Sequence, residues 1–193
     1  MENYKEVPIG TLVADNYFEY GKYVNWFRAI PAIDGLKPVY RRILLAAKEV
    51  ASDKLVKTAK LSGEVIGNWH PHGSASVEPV ISYLVRRGLL VGQGNHGADL
   101  LEYIQPAAPR YTEVKYESKK FNDLLFKLVN YAPHAENEIG NMEPEYLITP
   151  VPILLIYGTF GIGLGVTTRI PALSYKSLLA AYKANDPTKL EST

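Results

Sequence analysis

The chain has 193 residues, of which 47 % are hydrophobic and 21 % are charged, and its formal net charge at pH 7 is +1. This balance is typical of a globular protein of one domain, or of one domain with an appendage, and it argues against a disordered chain or a uniformly basic surface. The absence of cysteine excludes disulfides and thiolate metal sites, and together with a polar N-terminus it favours an intracellular, cytoplasmic location.

The N-terminal part of the chain is predicted to be helical. Apolar and aromatic residues recur at helical spacing over residues 11–27, and a loop with Pro31 follows. A second helix is predicted to begin near Pro38, because a proline in the first helical turn loses no hydrogen bond. In this helix Ile43 would face the core and Arg41 would lie toward another face.

Two further helices and a strand come next. The pattern predicts a short helix over residues 58–67, a helix over 74–87 and a β-strand over 89–92. Residues 103–116 are predicted to form a β-wing and its return. Helix, turn, helix and wing in this order indicate a winged-helix, DNA-binding unit.

The last third of the chain is predicted to mix strands and a helix. Strands are expected over residues 146–156 and 163–168, around a glycine-rich turn at 158–165, and a helix over 176–184. The predicted fold class is therefore α+β, with a winged helix followed by the beginning of a mixed α/β domain.

One neighbouring pair, Arg110-Tyr111, is suited to attack on a phosphodiester. A tyrosine hydroxyl is a weak nucleophile at neutral pH, because its pKa is about 10. A guanidinium beside it can bind the phosphate and stabilise the charge that develops during attack. Because the chain contains 14 tyrosines, the pair alone is weak evidence, and an ordinary packed or solvated side chain is favoured until the surrounding motifs are considered.

Cations precede this pair at the loop and the first turn of the second predicted helix. They are Arg28, Lys37, Arg41 and Arg42. These side chains could bind consecutive phosphates, with help from the positive end of the helix, or they could form a solvated face.

Two histidines, His70 and His72, flank a proline on a segment predicted to be extended or turning. Histidines at this spacing could bind a metal, but no cysteine or carboxylate lies close in the sequence to complete a ligand set. Contact with phosphate or acid–base chemistry is favoured instead, because imidazole titrates near neutral pH.

The glycine-rich segment 158–165 does not match a dinucleotide-binding loop, because its spacing is wrong and no βαβ unit surrounds it. Glycines here indicate a close approach of the backbone to DNA or to another strand. Ile162, between two of these glycines, is predicted either to pack or to act as an apolar wedge between base steps.

Five motifs follow one another along the chain. They are residues 28–44 (RAIP, then DGLKPVYRRIL), 63–73 (GEVIGNWHPHG), 92–97 (GQGNHG), 110–113 (RYTE) and 150–171, which include GIGLG and end in Ile-Pro. In this order they resemble the N-terminal portion of the breakage-reunion subunit of type IIA DNA topoisomerases, a family that includes gyrase A, the topoisomerase IV C subunit and the phage medium subunit.

The resemblance implies roles for individual residues. Tyr111 would form a transient 5′-phosphotyrosyl bond that opens a double-strand break for strand passage, and Arg110 would stabilise the phosphate. Ile162 would intercalate and bend the duplex. The other residues implied to contact DNA are Arg28, Lys37, Arg41, Arg42, His70, His72, Gln93 and Asn95.

The resemblance also implies partners. The carboxylate cluster that binds Mg²⁺ in the family and an ATP-binding loop are both absent from the sequence, so no metal ligand is assigned to this chain. Mg²⁺ and ATP are expected to be bound by a B-type subunit, in a complex built on a homodimer of this chain.

The predicted domains are a helical arm (1–27), a winged-helix cleavage domain (28–125) and the beginning of the family's tower domain (126–193). The rest of the tower, the coiled coil and the exit gate have no counterpart in the sequence. A second polypeptide from a split gene, or a shortened chain, would explain this.

Two other functions stay open. A non-catalytic remnant would bind and bend DNA without strand passage. A tyrosine recombinase also combines tyrosine with arginine and histidine, but it forms a 3′-phosphotyrosine and usually carries its nucleophile near the C-terminus of the catalytic domain, unlike Tyr111.

Overall fold

The structure is a computed structural model that describes residues 6–52, 54–100, 103–105, 107–116, 127–149 and 153–193. The helices are α1 (Ile9–Val24), α2 (Pro38–Val50), α3 (Thr58–Asn68), α4 (Ser74–Arg86), α5 (Ile153–Tyr157) and α6 (Tyr175–Ala184). A π-helical turn, Asn25–Ala29, continues α1. Short 3₁₀ turns lie at Pro109–Tyr111, Val129–Tyr131 and Pro187–Lys189.

The strands form one small sheet and a series of hairpins. They are β1 (Val56–Lys57), β2 (Leu90–Gln93), β3 (Ala98–Leu100), β4 (Tyr103–Gln105), β5 (Glu113–Tyr116), β6 (His134–Glu136), β7 (Met142–Pro144), β8 (Thr159–Ile162) and β9 (Thr167–Ile170). The order in the three-stranded sheet is β1-β5-β2, and both pairings are antiparallel. The pairs β3–β4, β6–β7 and β8–β9 are antiparallel two-stranded units.

The core lies between the helices α2, α3 and α4 and the three-stranded sheet. Each helix contributes apolar residues at the spacing of one face, which lets it bury them against its neighbours. The residues with no exposed surface in this core include Ile43, Leu44, Leu61, Val65, Ile81, Leu84 and Val114. This packing fixes α3 against β5, the strand that follows Tyr111 in the chain, and α4 against β2.

The predicted helices are confirmed, with ends within a few residues of those expected. Helix α2 begins at Pro38, as predicted. Helix α1 forms but buries none of its residues, so its apolar side chains lie at the surface. Among the described helices, none is both long and apolar enough to cross a membrane.

Of the two strands predicted in the last third, the one over residues 146–156 is wrong, and the one over 163–168 is shifted toward the C-terminus. Residues 153–157 form the short helix α5, and the strands lie at Thr159–Ile162 and Thr167–Ile170, so the glycine-rich segment is itself part of a hairpin. A short apolar run fits a buried helix as well as a strand, and periodicity alone does not separate them. The end of the predicted cleavage domain, at residue 125, lies outside the described residues.

Candidate nucleic-acid interface

Tyr111 ends the 3₁₀ turn Pro109–Tyr111, and 76 % of its surface is exposed. The Thr112 hydroxyl donates to the Pro109 carbonyl at 3.0 Å. Because that hydrogen bond uses the only proton of the Thr112 hydroxyl, the Thr112 oxygen accepts a hydrogen bond from the Thr58 hydroxyl, which lies 2.6 Å away on α3. The turn is therefore fixed to α3 while the Tyr111 side chain stays accessible to a ligand.

The end of β2, at Gln93, and the loop with Asn95 that follows it pack under the same turn. The Asn95 carbonyl accepts a hydrogen bond from the backbone N–H of Ala108 at 2.8 Å. The backbone at Gly94 has φ of +93°, which favours glycine, and a Cβ there would also lie only 3.2 Å from the Tyr111 carbonyl oxygen. The structure thus brings Gln93 and Asn95, both exposed, beside the turn that carries Tyr111.

Four of the predicted residues meet in what we call the histidine cluster: Arg28, Arg42, His70 and His72. The Arg42 guanidinium donates to His70 Nδ1 at 2.7 Å. One nitrogen of the Arg28 guanidinium lies 3.2 Å from His72 Nε2, and the two imidazole rings meet edge to face at 4.3 Å. A cleft of about 290 Å³ opens beside Arg28, His70 and His72.

His70 is a neutral member of this cluster. Burial, together with the positive charges of His72 and Arg42, lowers the pKa of His70 to about 4. Because a guanidinium can only donate, His70 Nδ1 accepts and its proton is on Nε2. His70 therefore contributes a hydrogen-bond donor rather than a charge near pH 7.

Arg41 and Arg42 lie in the interior, which corrects the prediction that Arg41 lies toward a different face from the core. Arg41 bonds the Leu36 carbonyl at 2.7 Å and the buried Asp34 carboxylate at 3.3 Å. Arg42, with only 1 % of its side chain exposed, donates to both carboxylate oxygens of Glu143, at 2.8 and 2.9 Å. The carboxylates, one in the preceding loop and one on β7, draw both guanidiniums inward.

Lys37 lines a separate cationic cleft of about 380 Å³. Burial lowers the pKa of the Lys37 ammonium. The Arg87 guanidinium lies over the rings of Tyr83 and Tyr157, with centroid distances of 5.1 and 5.5 Å, and Arg169 also lines the cleft. None of the described residues that line it is acidic, which suits the cleft to anionic ligands.

Ile162 lies on the β8–β9 hairpin with 66 % of its surface exposed. The Asn25 side chain holds the hairpin by accepting from the Leu164 N–H at 2.8 Å and donating to the Leu164 carbonyl at 2.9 Å. A Cβ at Gly161 would overlap the Ala29 carbonyl oxygen. The predicted close approach of the backbone is therefore confirmed at Gly161, but its neighbour is the π-helical turn and not DNA or another strand.

Comparison with known proteins gives the family. The profile that describes the A subunit of DNA gyrase and topoisomerase IV matches residues 28–186, which is most of the chain. This chain belongs to the gyrase A and topoisomerase IV A family. It is similar to the DNA gyrase A protein of Haemophilus influenzae (38 % identity over 90 % of this chain and 21 % of that protein) and to the DNA topoisomerase 4 A protein of the same organism (39 % over 88 % and 24 %).

The DNA gyrase A protein of Lawsonia intracellularis is a third relative, 39 % identical over 81 % of this chain and 20 % of its own length. The chain thus spans about a fifth of the length of the curated relatives it matches. Family membership confirms the resemblance drawn from the five motifs. The roles of single residues, Tyr111 included, and the domain limits stay predictions.

One carboxylate in this family member was missed by sequence reasoning. Glu138 lies beside the histidines, and one ligand atom from each of His70, His72 and Glu138 falls within 4.8 Å of the others. The expectation that no carboxylate joins the histidines is therefore wrong, because Glu138, 66 positions after His72 in the sequence, is brought back to it by the β6–β7 turn. A set with two imidazoles and one carboxylate does not fit Mg²⁺, which prefers an octahedron of oxygens.

Proposed function

We propose that this chain is the DNA-cleavage module of a type IIA topoisomerase and that Tyr111 is its nucleophile. The observation that carries the proposal is an exposed tyrosine, next to Arg110, on a turn fixed by Thr112 and Thr58, in a chain of the gyrase A and topoisomerase IV A family. Exposure lets a duplex reach the hydroxyl, and the fixed backbone keeps it oriented for attack.

The proposed step is a transesterification. The Tyr111 oxygen attacks a backbone phosphorus, the bond from phosphorus to the 3′ oxygen breaks, and the 5′ phosphate stays on the tyrosine. The phenolic proton is lost and the departing 3′ oxygen gains one, so charge balances and no water is consumed. Arg110 holds the phosphate and offsets the charge that develops on it. The reverse attack by the 3′ hydroxyl reseals the strand.

The proposed path of the duplex follows the basic side chains that line two clefts. Arg28 and His72 would contact backbone phosphates at one cleft and Lys37 at the other, because both clefts are open and cationic. Arg41 and Arg42 would act indirectly, by fixing the loop and the histidines. Ile162, on a hairpin clamped by Asn25, has the exposure that an intercalating wedge needs.

We also propose the winged-helix identity of residues 28–125 and the tower identity of residues 126–193. The antiparallel β1-β5-β2 sheet packed on α2, α3 and α4 supports the first assignment. The β8–β9 hairpin and α6, which follows it in the chain, are assigned to the second.

Mg²⁺ and ATP are proposed to bind a B-type partner protein, since the His70, His72 and Glu138 set does not suit Mg²⁺. The apolar residues exposed along α1 support an interface with a partner chain, because contiguous apolar surface is otherwise costly. We further propose that the chain forms a homodimer in the assembled enzyme and that a further polypeptide joins this complex. The complex would act on DNA in the cytoplasm.

The decisive variant is Tyr111→Phe. We expect it to abolish covalent capture of DNA, in the presence of Mg²⁺ and a B-type subunit, while DNA affinity changes by less than about twofold, because only the hydroxyl is lost. Adducts are measured as protein-bound label after denaturation. A DNA-binding remnant would give no adduct with the unmodified chain either.

Tyr131→Phe is a matched control. Tyr131 also ends a 3₁₀ turn and is 78 % exposed, so the substitution removes an equivalent hydroxyl from an equivalent local structure. Full covalent capture is expected from it. Adducts that persist in Tyr111→Phe, or that vanish in Tyr131→Phe, would contradict the assignment of the nucleophile.

A further inference from the structure

The turn between β6 and β7 reaches the histidine cluster. Within it, the Asn137 side-chain oxygen accepts from the backbone N–H groups of Ile139 and Asn141, at 3.1 and 3.0 Å. The Asn141 side chain donates to the Asn68 carbonyl at the end of α3, at 2.7 Å. These bonds shape residues 137–141 and tether them next to His70.

This turn places the carboxylate of Glu138 among hydrogen-bond donors and cations. The Tyr23 hydroxyl donates to Glu138 at 2.8 Å, His72 Nε2 lies at 3.2 Å and an Arg42 nitrogen at 3.6 Å. Only 16 % of the Glu138 side chain is exposed. Its surroundings are thus those of a bound anion, although the residue comes from an exposed turn.

The charges around Glu138 keep it ionised. Burial pushes its pKa upward, but the hydrogen bond from Tyr23 and the positive charges of His72 and Arg42 outweigh burial, and the pKa lies below its ordinary value. A carboxylate held by a hydroxyl, an imidazole and a guanidinium makes the contacts that a phosphate oxygen makes in a protein–DNA complex. The cleft beside Arg28 and His72 would be the route by which such a phosphate reaches this position once the carboxylate has left it.

We infer that the Glu138 carboxylate takes the position of a DNA backbone phosphate, and that duplex DNA binds the histidine cluster only after residues 137–141 move away. The inference rests on the proposed function, because it names a regulating contact within the same DNA surface. Residues 137–141 would therefore weaken the binding of any DNA that does not place a phosphate where it can replace the Glu138 carboxylate.

A metal is the other ligand for this group of side chains, and the geometry does not favour it. The Arg42 guanidinium already donates to His70 Nδ1, and Arg28 lies 3.2 Å from His72 Nε2. A divalent cation bound to His70, His72 and Glu138 would therefore face two guanidiniums at short range.

Glu138→Gln tests the inference with little change of shape. For the full chain, we expect its affinity for a short labelled duplex, measured by fluorescence anisotropy, to rise roughly three- to tenfold, because a competing charged contact is removed. Glu136→Gln is the matched control, since Glu136 is an exposed carboxylate on the same hairpin. If the two variants raise affinity equally, the effect is general electrostatics and the inference is overturned.

His72→Gln separates failure of the inference from failure of the proposed DNA surface. If His72 contacts phosphate, His72→Gln weakens DNA binding, and in that background Glu138→Gln no longer tightens it. Weaker binding in His72→Gln without any gain in Glu138→Gln overturns the inference and leaves the DNA surface intact. Unchanged binding in His72→Gln refutes the DNA surface itself.

Isothermal titration calorimetry with Zn²⁺ alone tests whether this cluster binds a metal ion. The inference predicts no stoichiometric binding at this cluster. One-to-one binding that is lost in Glu138→Gln would show that the carboxylate is a metal ligand, and it would overturn the inference.

Discussion

Glu143→Gln tests whether the buried pair between Arg42 and Glu143 holds the histidine cluster in place. Arg42 is 1 % exposed and Glu143 12 % exposed by side chain, and two hydrogen bonds of 2.8 and 2.9 Å join them. Removing one partner of a buried pair leaves an uncompensated charge and typically costs about 3–5 kcal/mol. Because the Glu138 carboxylate still lies 3.6 Å from Arg42, Glu143 keeps some contact with solvent, and glutamine can still accept one hydrogen bond, we expect a loss at the lower end of that range, about 3 kcal/mol.

That loss is a large share of the free energy of unfolding of a typical domain, which is about 5–15 kcal/mol. It is measured by urea unfolding of the full chain, followed by circular dichroism at pH 7.5. Glu19→Gln is the control, because the Glu19–Lys22 pair is as short, at 2.6 Å, but its side chains are 68 % and 56 % exposed. Exposed pairs contribute about 0–1 kcal/mol, so equal losses in both variants would refute the structural role of the buried pair.

Three further predictions concern the same surface. The free energy of unfolding should fall by up to about 3 kcal/mol as the pH drops from 6.5 to 4, because the unfolded chain protonates His70 in this window while the folded chain, with a pKa of about 4, does not. Gly161→Ala should destabilise the chain by about 1–3 kcal/mol, since a Cβ there overlaps the Ala29 carbonyl. Thr112→Val should lower the free energy of unfolding by about 1–2 kcal/mol and reduce DNA cleavage more than DNA binding. It removes the two hydroxyl hydrogen bonds that hold the turn that carries Tyr111.

Each of these has its own check. His70→Gln should flatten the pH dependence of unfolding between pH 6.5 and 4, and an unchanged slope would assign the effect to other groups. Gly63→Ala, in α3 with nothing within 4 Å of the added Cβ, should be neutral or stabilising, in contrast to Gly161→Ala. Thr112→Ser, which keeps the hydroxyl, should retain most of the cleavage that Thr112→Val loses.

The sequence predicted the helices well because their signals are local. Proline at the start of α2 and apolar spacing through α3 and α4 act within a few residues, and tertiary packing follows the same faces. The glycine pattern also predicted a close backbone contact, which the structure locates at Ala29. The partner in that contact lies more than 100 residues away in sequence, so it could not be named beforehand.

The candidate site was predicted less completely, because its charges are set by distant partners. Arg41 and Arg42 looked like exposed cations, and only the folded chain shows Asp34 and Glu143 drawing them inward. Glu138 and Tyr23 carried no local signal at all. A long-range ion pair follows from how the chain returns on itself, which a single sequence does not specify.

The measurement that tests the central claim most directly is the polarity and position of the protein–DNA link. A duplex labelled at either the 5′ or the 3′ end of the cleaved strand is incubated with the chain, Mg²⁺ and a B-type subunit, and the adduct is digested and analysed by mass spectrometry. We predict that the 3′-end label stays on the protein, through a 5′ phosphate on the peptide that contains Tyr111. Retention of the 5′-end label, as a tyrosine recombinase would give, or a link to a peptide without Tyr111, would contradict the proposed function.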